Sequence, residues 1–350
     1  MNFEEFKNKY QHKSVKEFPN QVPENPVLTV LVLTYQQADY IRDCLEGILM
    51  QKTNFLFEII IGDDDSSDGT REICQEYAEK HPDKIRLMLH SKENNISFNQ
   101  KPTPIFNVFY NTFSARGKYI AICEGDDYWT DSLKLQKQVT FMETNPECSL
   151  TFHPTLCIDE KDLETQHLKQ PPNPQKTQIF NLKDYIAGKG LGIWTVSMMF
   201  KAVHEDQIPN WLFKAPITDL ALKLFSAYHG KIGYIPDISA VYRRRTAGSW
   251  SEYSQTYQWQ IDHLKGRNST YNLFNAYSNY KYNSEIKATN KWWKELCLPQ
   301  AFKFANRSQR RKLIFNNLDY FLNPRHKGNF SRWMRFIFGD EFVSEIKDNL

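Results

Sequence analysis

Long apolar runs are missing from this 350-residue sequence. No stretch approaches the roughly 18 consecutive apolar residues of a bilayer-spanning helix, so the sequence offers no transmembrane segment. The opening MNFEEFKNKY places charges where a secretory leader needs an apolar core; the expectation is a cytoplasmic protein. Cysteine is sparse and scattered, at 44, 74, 123, 148, 157 and 297, without CxxC pairs or zinc-type spacing. In a reducing compartment these residues read as small buried hydrophobes. No internal repeat is visible.

What is present points to a folded protein. The apolar fraction is 41% and the aromatic fraction 14%, enough to build a core in one main domain with appendages. The net charge of +3 conceals an asymmetry: residues 291–350 hold 12 Lys/Arg against 6 Asp/Glu, which leaves +6 there and −3 elsewhere. Such a tail implies an acidic partner.

The pattern along the chain alternates. Residues 1–26 are polar and broken by Pro19, Pro23 and Pro26; they read as an arm or short helix laid on the surface. VLTVLVLT at 27–34 is a nearly continuous apolar run, the mark of a strand buried on both faces. A helical stripe follows from Tyr40 to Leu49, then a strand over 57–61, a helix over 70–80 and a strand over 85–89. A helix over 105–114 and a strand over 118–123 complete an α/β series with a parallel sheet. A helix is expected over 132–143 and a proline-rich loop over 165–178. Strands are expected at 196–200 and 231–235, with a helix from Asp219 to Tyr228 between them. Beyond Ser251 the chain reads as helical.

In an open parallel sheet, ligands bind beyond the carboxyl ends of the strands. Three polar clusters fall there: Thr34-Tyr35, the run DDDSSDGT at 63–70, and Glu124-Gly125-Asp126-Asp127. Clustered carboxylates repel one another, a cost relieved by a shared divalent cation that also meets substrate phosphates. The run at 63–70 starts like a calcium loop but carries Gln75 where the bidentate Glu belongs. Ser67 or Asp68 is expected to cap the following helix, leaving Asp64 for a base or ribose. Thr218-Asp219 can likewise be read as a helix N-cap.

The ordered segments LTVLVLTYQQADYI, EIIIGDDDSSDGT and ARGKYIAICEGDDYW resemble glycosyltransferase family 2, of bacterial surface-polysaccharide type. IWTVSMMF, TDLALKL and VYRRRTAGSWS resemble its acceptor half, so the likeness covers about residues 27–251. The resemblance implies a GT-A fold: a mixed, mostly parallel sheet flanked by helices, with a helical C-terminal extension. It divides the chain into an arm (1–26), a nucleotide-sugar half (27–160), an acceptor half (161–255) and a basic, aromatic helical region (256–350). It implies inverting transfer from a nucleotide-sugar, commonly a UDP-sugar, to a saccharide or polyprenyl-linked acceptor, assisted by Mn2+ or Mg2+. Thr34, Tyr35 and Asp64 then line the nucleoside pocket, and Glu124 and Asp126 bind the donor. Asp126 or Asp127 ligates metal, and Asp219 is the catalytic base, a role worth about 10²–10⁴ in rate. Arg245 stands where relatives often have His; an Arg cannot ligate metal but can pair with phosphate. Arg243 and Arg245 are accordingly candidate diphosphate clamps, against a reading as surface decoration. Trp250 reads either as a sugar platform or as core packing.

The tail KWWK, RSQRRK and SRWMRFIF suits an anionic membrane surface, and equally a helical subdomain packing its own aromatics. No nucleic-acid motif accompanies the charge, so no nucleic-acid partner is expected. Two other function classes share these features: a nucleotidyltransferase, and a non-catalytic nucleotide-sugar-binding protein. The first usually needs a Gly-rich, basic phosphate loop after the first strand, where this chain has TYQQADY. Specificity is expected to rest on loops 90–104 and 154–195.

Overall fold

The computed structural model describes residues 1–98, 101–188, 191–203, 208–247 and 249–321. The chain opens with α1 (Phe3–Tyr10) and β1 (Lys16–Glu17), then alternates β2 (Leu28–Thr34), α2 (Ile41–Leu49), β3 (Phe57–Asp63), α3 (Thr70–Lys80) and β4 (Ile85–Leu89). A small hairpin, β5 (Ser97–Phe98) and β6 (Lys101–Pro102), leads into α4 (Ile105–Ser114), β7 (Tyr119–Glu124), β8 (Tyr128–Trp129) and α5 (Lys134–Thr144). Next come β9 (Cys148–Phe152), β10 (Thr155–Asp159), β11 (Asp162–Lys169), β12 (Gln178–Phe180) and α6 (Leu182–Ala187). They are followed by β13 (Met199–Lys201), α7 (Thr218–Tyr228), β14 (Lys231–Tyr234) and β15 (Ala240–Arg244).

The large sheet runs β1-β4-β3-β2-β7-β13-β9-β14-β12. Strands β4, β3, β2 and β7 are mutually parallel, whereas β13 is antiparallel to both β7 and β9. With its flanking helices this is the mixed α/β arrangement that the resemblance led one to expect. Val30, Leu31 and Val32 are all fully buried, so both faces of β2 are covered and its apolar run shows no alternation. On one face Ile41, Cys44, Leu45 and Ile48 of α2 join that core; α4 packs on the sheet as well. All six cysteines are buried and none forms a disulfide among the described residues. A second sheet, β11-β10-β15-β8, sets β15 parallel to β10 and antiparallel to β8. That pairing carries residues 240–244 back beside the acidic turn after β7.

Three expectations change. The N-terminal residues form the short helix of that expectation, α1, but it is anchored rather than laid on the surface: Phe6 is fully buried, 5.4 Å from each of the rings of Phe106, Phe113 and Phe213. Burying one such ring contributes about 1.5–3 kcal/mol, and β1 then pairs with the edge of β4. The expected loop over 165–178 begins as strand, because β11 pairs with β10 out to Lys169. The strand expected at 196–200 starts later, after a 3-10 turn at Thr195–Ser197.

The chain divides into two compact units, Met1–Glu252 with Gly266–Thr289, and Tyr253–Lys265 with Asn290–Leu350. Helices α8 (Tyr257–Tyr277), α9 (Asn283–Phe304), α10 (Arg307–Phe315) and α11 (Leu318–Phe321) supply the described C-terminal part. In the second unit Leu264, Leu298, Ala301, Phe302, Leu313 and Phe321 form a separate core, with Trp293 packed against it. The KWWK segment thus buries aromatic surface within its own helical unit. SRWMRFIF, at 331–338, lies outside the described residues, as do positions 99–100 and 189–190 of the expected specificity loops. No described helix is long and apolar enough to cross a membrane.

Candidate active site

The loops after β2 and β3 are tied together side chain to backbone. Ser66 Oγ accepts from the Gln36 amide (3.0 Å), Thr70 Oγ1 from the Gln37 amide (2.7 Å), and Asp68 Oδ2 from the Ala38 amide (3.1 Å). Asp68 Oδ1 also accepts from the Thr70 N–H that opens α3 (3.0 Å). Gly69, not Ser67 or Asp68, is the N-cap of α3; Asp68 meets the first helical N–H from one position earlier and also links the loops. Gly125 joins the third cluster to the other two. A Cβ there would stand 2.5 Å from Gln37 Oε1 and 2.7 Å from Thr34 Oγ1. Strand pairing brings these ends together, since Thr34 faces Asp63 across β2–β3 and Leu33 faces Glu124 across β2–β7.

Tyr35 and Asp64, just beyond the ends of β2 and β3, are met by Lys92 and Asn95. The Lys92 ammonium lies 4.6 Å from the centroid of the Tyr35 ring, and that ring is 40% exposed. Asn95 Nδ2 donates to Asp64 Oδ2 (3.0 Å), while the buried Asp64 Oδ1 has no hydrogen-bond partner among the described residues. Burial, with Asp63 and Asp65 nearby, pushes the Asp64 carboxyl up to about 6 against the pull of Asn95 and Lys92. A buried acceptor without a donor is costly, and a ligand N–H would satisfy it.

The acidic turn stands between β7 and β8. Asp126 is 7% exposed and its Oδ2 accepts from Thr246 Oγ1 (2.7 Å). Asp127 is fully buried; its Oδ1 accepts the Arg243 N–H (2.9 Å) and its Oδ2 has no described partner. Glu124 is half-buried. Burial, then the charges of Asp126 and Asp219, push its carboxyl up to about 8. Burial, then the charges of Asp126 and Glu124, hold the Asp127 carboxyl well above the usual carboxylate range. Asp219 is thus near enough to perturb Glu124. It lies in the first turn of α7, whose N-cap is Ile217 with no side-chain cap bond, so the capping reading gives way. Its Oδ2 instead takes Lys223 Nζ at 2.7 Å. Burial pushes the Asp219 carboxyl up, but Lys223 and Arg267 hold it below its ordinary value.

Arg243 and Arg245 are not available as the sequence reading had them. Arg243 Nη1 donates to the Asp126 carbonyl (3.0 Å) and Nη2 to Asp43 (2.5 Å), and its guanidinium lies over the rings of Tyr128 and Tyr40. Arg245, at φ 59°, donates from Nε to both oxygens of Asp159, at 2.7 and 2.8 Å. Each guanidinium is already met by a carboxylate, so these arginines brace the acidic turn and its neighbouring loop. Trp250 is 57% exposed, which excludes core packing. Sequence reading also passed over Thr246, Lys92, Asn95 and Lys223. Only Lys223 carried a local signal, standing four residues after Asp219 on one helix face.

The description Glycosyl transferase family 2 matches residues 29–99. The uncharacterized protein Rv1520 of Mycobacterium tuberculosis is 35% identical over 224 residues, 64% of this chain and 60% of that protein. The chain thus spans about 60% of the length of such relatives. The Bacillus subtilis glycosyltransferase TuaG, named for teichuronic acid biosynthesis, is 28% identical over 58% of this chain and 75% of its own. Among solved structures, S. aureus TarS 1–349 in complex with UDP is similar with a TM-score of 0.47 at 14% identity, covering 88% of this chain and 90% of that one. The match over residues 29–99 and the likeness to TuaG make the chain similar to glycosyltransferase family 2, on the segment that carries β2, β3 and their strand-end clusters.

Proposed function

We propose that this protein is an inverting, metal-assisted glycosyltransferase that moves a sugar from a nucleoside diphosphate donor to a glycan or lipid-linked saccharide. The observation that carries the reading is that Asp126 and Asp219 stand near enough to Glu124 to raise its carboxyl, while the neighbouring strand end carries Asp64, whose Oδ1 has no hydrogen-bond partner among the described residues. TuaG, named for teichuronic acid biosynthesis, supports a surface polysaccharide or glycoconjugate as the product. A UDP-sugar is the donor of choice on family likeness, and the cytoplasm, with the membrane's inner face, is the proposed location.

The residues present fit a hard divalent cation. Glu124 and Asp126 supply oxygen donors, their crowding favours a positive charge, and no group of three or more His, Cys, Asp or Glu is arranged to hold a metal among the described residues. One or two carboxylates plus substrate phosphates are the usual set for Mg2+. Asp127 is the poorer ligand of the pair first considered, because its buried carboxylate serves the β15 backbone. When bound, Mn2+ or Mg2+ offsets the charge that grows on the departing diphosphate.

The remaining work falls to protein side chains. Tyr35, Asp64 and Asn95 orient the nucleoside. The acceptor hydroxyl oxygen bonds the anomeric carbon opposite the leaving group, and its proton passes to the Asp219 carboxylate. The bond from anomeric carbon to phosphate oxygen breaks, its electron pair leaving with the nucleoside diphosphate. Inversion follows from that single displacement. Asp219 must be ionised to accept the proton, and its Lys223 partner favours that state.

A thermal-shift screen of nucleoside diphosphates with Mn2+ present tests the donor site; stabilisation by UDP is expected, and stabilisation by none would overturn it. Asp219→Asn is expected to keep UDP binding and to lose sugar transfer. Unchanged transfer would remove Asp219 as base, and release of pyrophosphate in place of UDP would favour the nucleotidyltransferase reading.

A further inference from the structure

We infer that Lys223 is a positioning residue for the transfer reaction: its ammonium fixes one oxygen of Asp219 and offsets that carboxylate's charge inside the acidic crevice. The inference rests on the assignment of Asp219 as base and adds a residue to it.

The two side chains differ in exposure. That of Lys223 is 6% exposed and that of Asp219 is 40% exposed, with Nζ 2.7 Å from Oδ2. The pair therefore opens to solvent on its carboxylate side, where an acceptor hydroxyl would arrive. Burying a lysine is unfavourable unless its charge is met, so a site this enclosed implies a partner that must stay anionic. Asp219 is that partner, four residues earlier on α7, a spacing that sets both groups on one helix face. A helix interior also fixes the approach: the Lys223 stem cannot swing away without leaving its burial.

The charges around Asp219 show why a cation is needed there. From β7 comes Glu124, from α8 Arg267, and from α6 and α8 the buried phenols of Tyr185 and Tyr271. Arg267 lies close enough to Tyr271 for its charge to act on that phenol as well. Burial alone raises the carboxyl of Asp219, and Lys223 is the foremost group pulling it down. Without that ammonium Asp219 would lose the foremost group favouring the ionised state that receives the acceptor's proton.

Carbon-13 NMR of the aspartate carboxyls tests this without substrate. The Asp219 resonance is identified as the one lost in Asp219→Asn, and is followed through a pH titration in wild type, Lys223→Met, Lys223→Gln and Lys223→Arg. Wild type and Lys223→Arg are expected to titrate below the usual carboxylate range. Lys223→Met and Lys223→Gln should titrate at least one unit higher, a shift of about tenfold in proton affinity. Nucleotide release, followed with the donor found by thermal shift, should then show its acid limb moved to higher pH in the Met and Gln variants, with UDP affinity unchanged. An Asp219 titration unmoved in both neutral variants would overturn the inference, as would a rate reduced by one factor at every pH. If Asp219→Asn keeps full transfer, the base assignment fails instead; if it is inactive while the neutral variants match wild type, only the role of Lys223 fails.

Discussion

The Asp127 carboxylate accepts the backbone N–H of Arg243 at 2.9 Å, joining positions 116 residues apart. This bond pins β15 to the acidic turn, and the Arg243 side chain returns to the Asp126 carbonyl at 3.0 Å. Asp127 is therefore part of the frame that holds Asp126 in place.

That relationship separates the two aspartates by experiment. Asp127→Asn keeps an acceptor for the Arg243 N–H while removing a buried charge, so its Tm at pH 7 should equal or exceed that of wild type. Asp127→Ala leaves the N–H unmet and should cost about 1–3 kcal/mol in urea unfolding. Manganese-dependent UDP binding should persist in Asp127→Asn and weaken by more than about tenfold in Asp126→Asn. The opposite order would make Asp127 the ligand.

Gly125 is the point where the acidic turn meets the loop after β2. Its missing Cβ would overlap Gln37 Oε1 and Thr34 Oγ1, so Gly125→Ala has to push the turn away. The expected cost is about 1–3 kcal/mol, with a lower Tm and loss of UDP binding measured by calorimetry. A variant with wild-type affinity would show that the turn can move without consequence.

Asp64 supplies the pH dependence of the nucleoside pocket. Its carboxyl is raised from 3.8 to about 6, first by burial. Above pH 6 the ionised group costs the folded state stability, and that cost is relieved as pH falls through 6 toward 3.8. Asp64→Asn should thus raise Tm at pH 7 and have little effect at pH 4. UDP affinity in wild type should fall below pH 6, as the carboxylate is lost as an acceptor, and should be flat over that range in Asp64→Asn. Equal pH profiles for the two proteins would remove Asp64 from the pocket.

Arg245 and Asp159 form a nearly buried, two-pronged pair. Removing one partner strands the other, at a cost of about 3–5 kcal/mol. A double-mutant cycle with Arg245→Ala and Asp159→Ala, read by urea unfolding, should give a coupling of about 0.5–3 kcal/mol. Strict additivity would show that the pair contributes no interaction.

The alternation of strands and helices from 27 to 144 was legible because each element carries its own period. The apolar run of β2 and the stripe of α2 need no distant partner to be read. The polar ends of β2, β3 and β7 were legible for the same reason, since any parallel sheet delivers its strand ends to one side. The arm at 1–26 was misjudged because three prolines and many charges dominate its composition, whereas one buried phenylalanine, Phe6, decides where it lies.

By itself the sequence determined the α/β series, the strand-end position of Asp64 and Glu124–Asp127, and the four-residue spacing of Asp219 and Lys223, because these follow from local periodicity. Tertiary structure alone decided what the arginines do. Arg243 meets Asp43 across 200 residues and Arg245 meets Asp159 across 86, and a charge finds such a partner only when strands distant in the chain are laid side by side. It also decided that Asp127 faces a backbone amide, and that Glu124 stands near enough to Asp219 to feel its charge. Those are properties of packing, for which a linear sequence holds no distance.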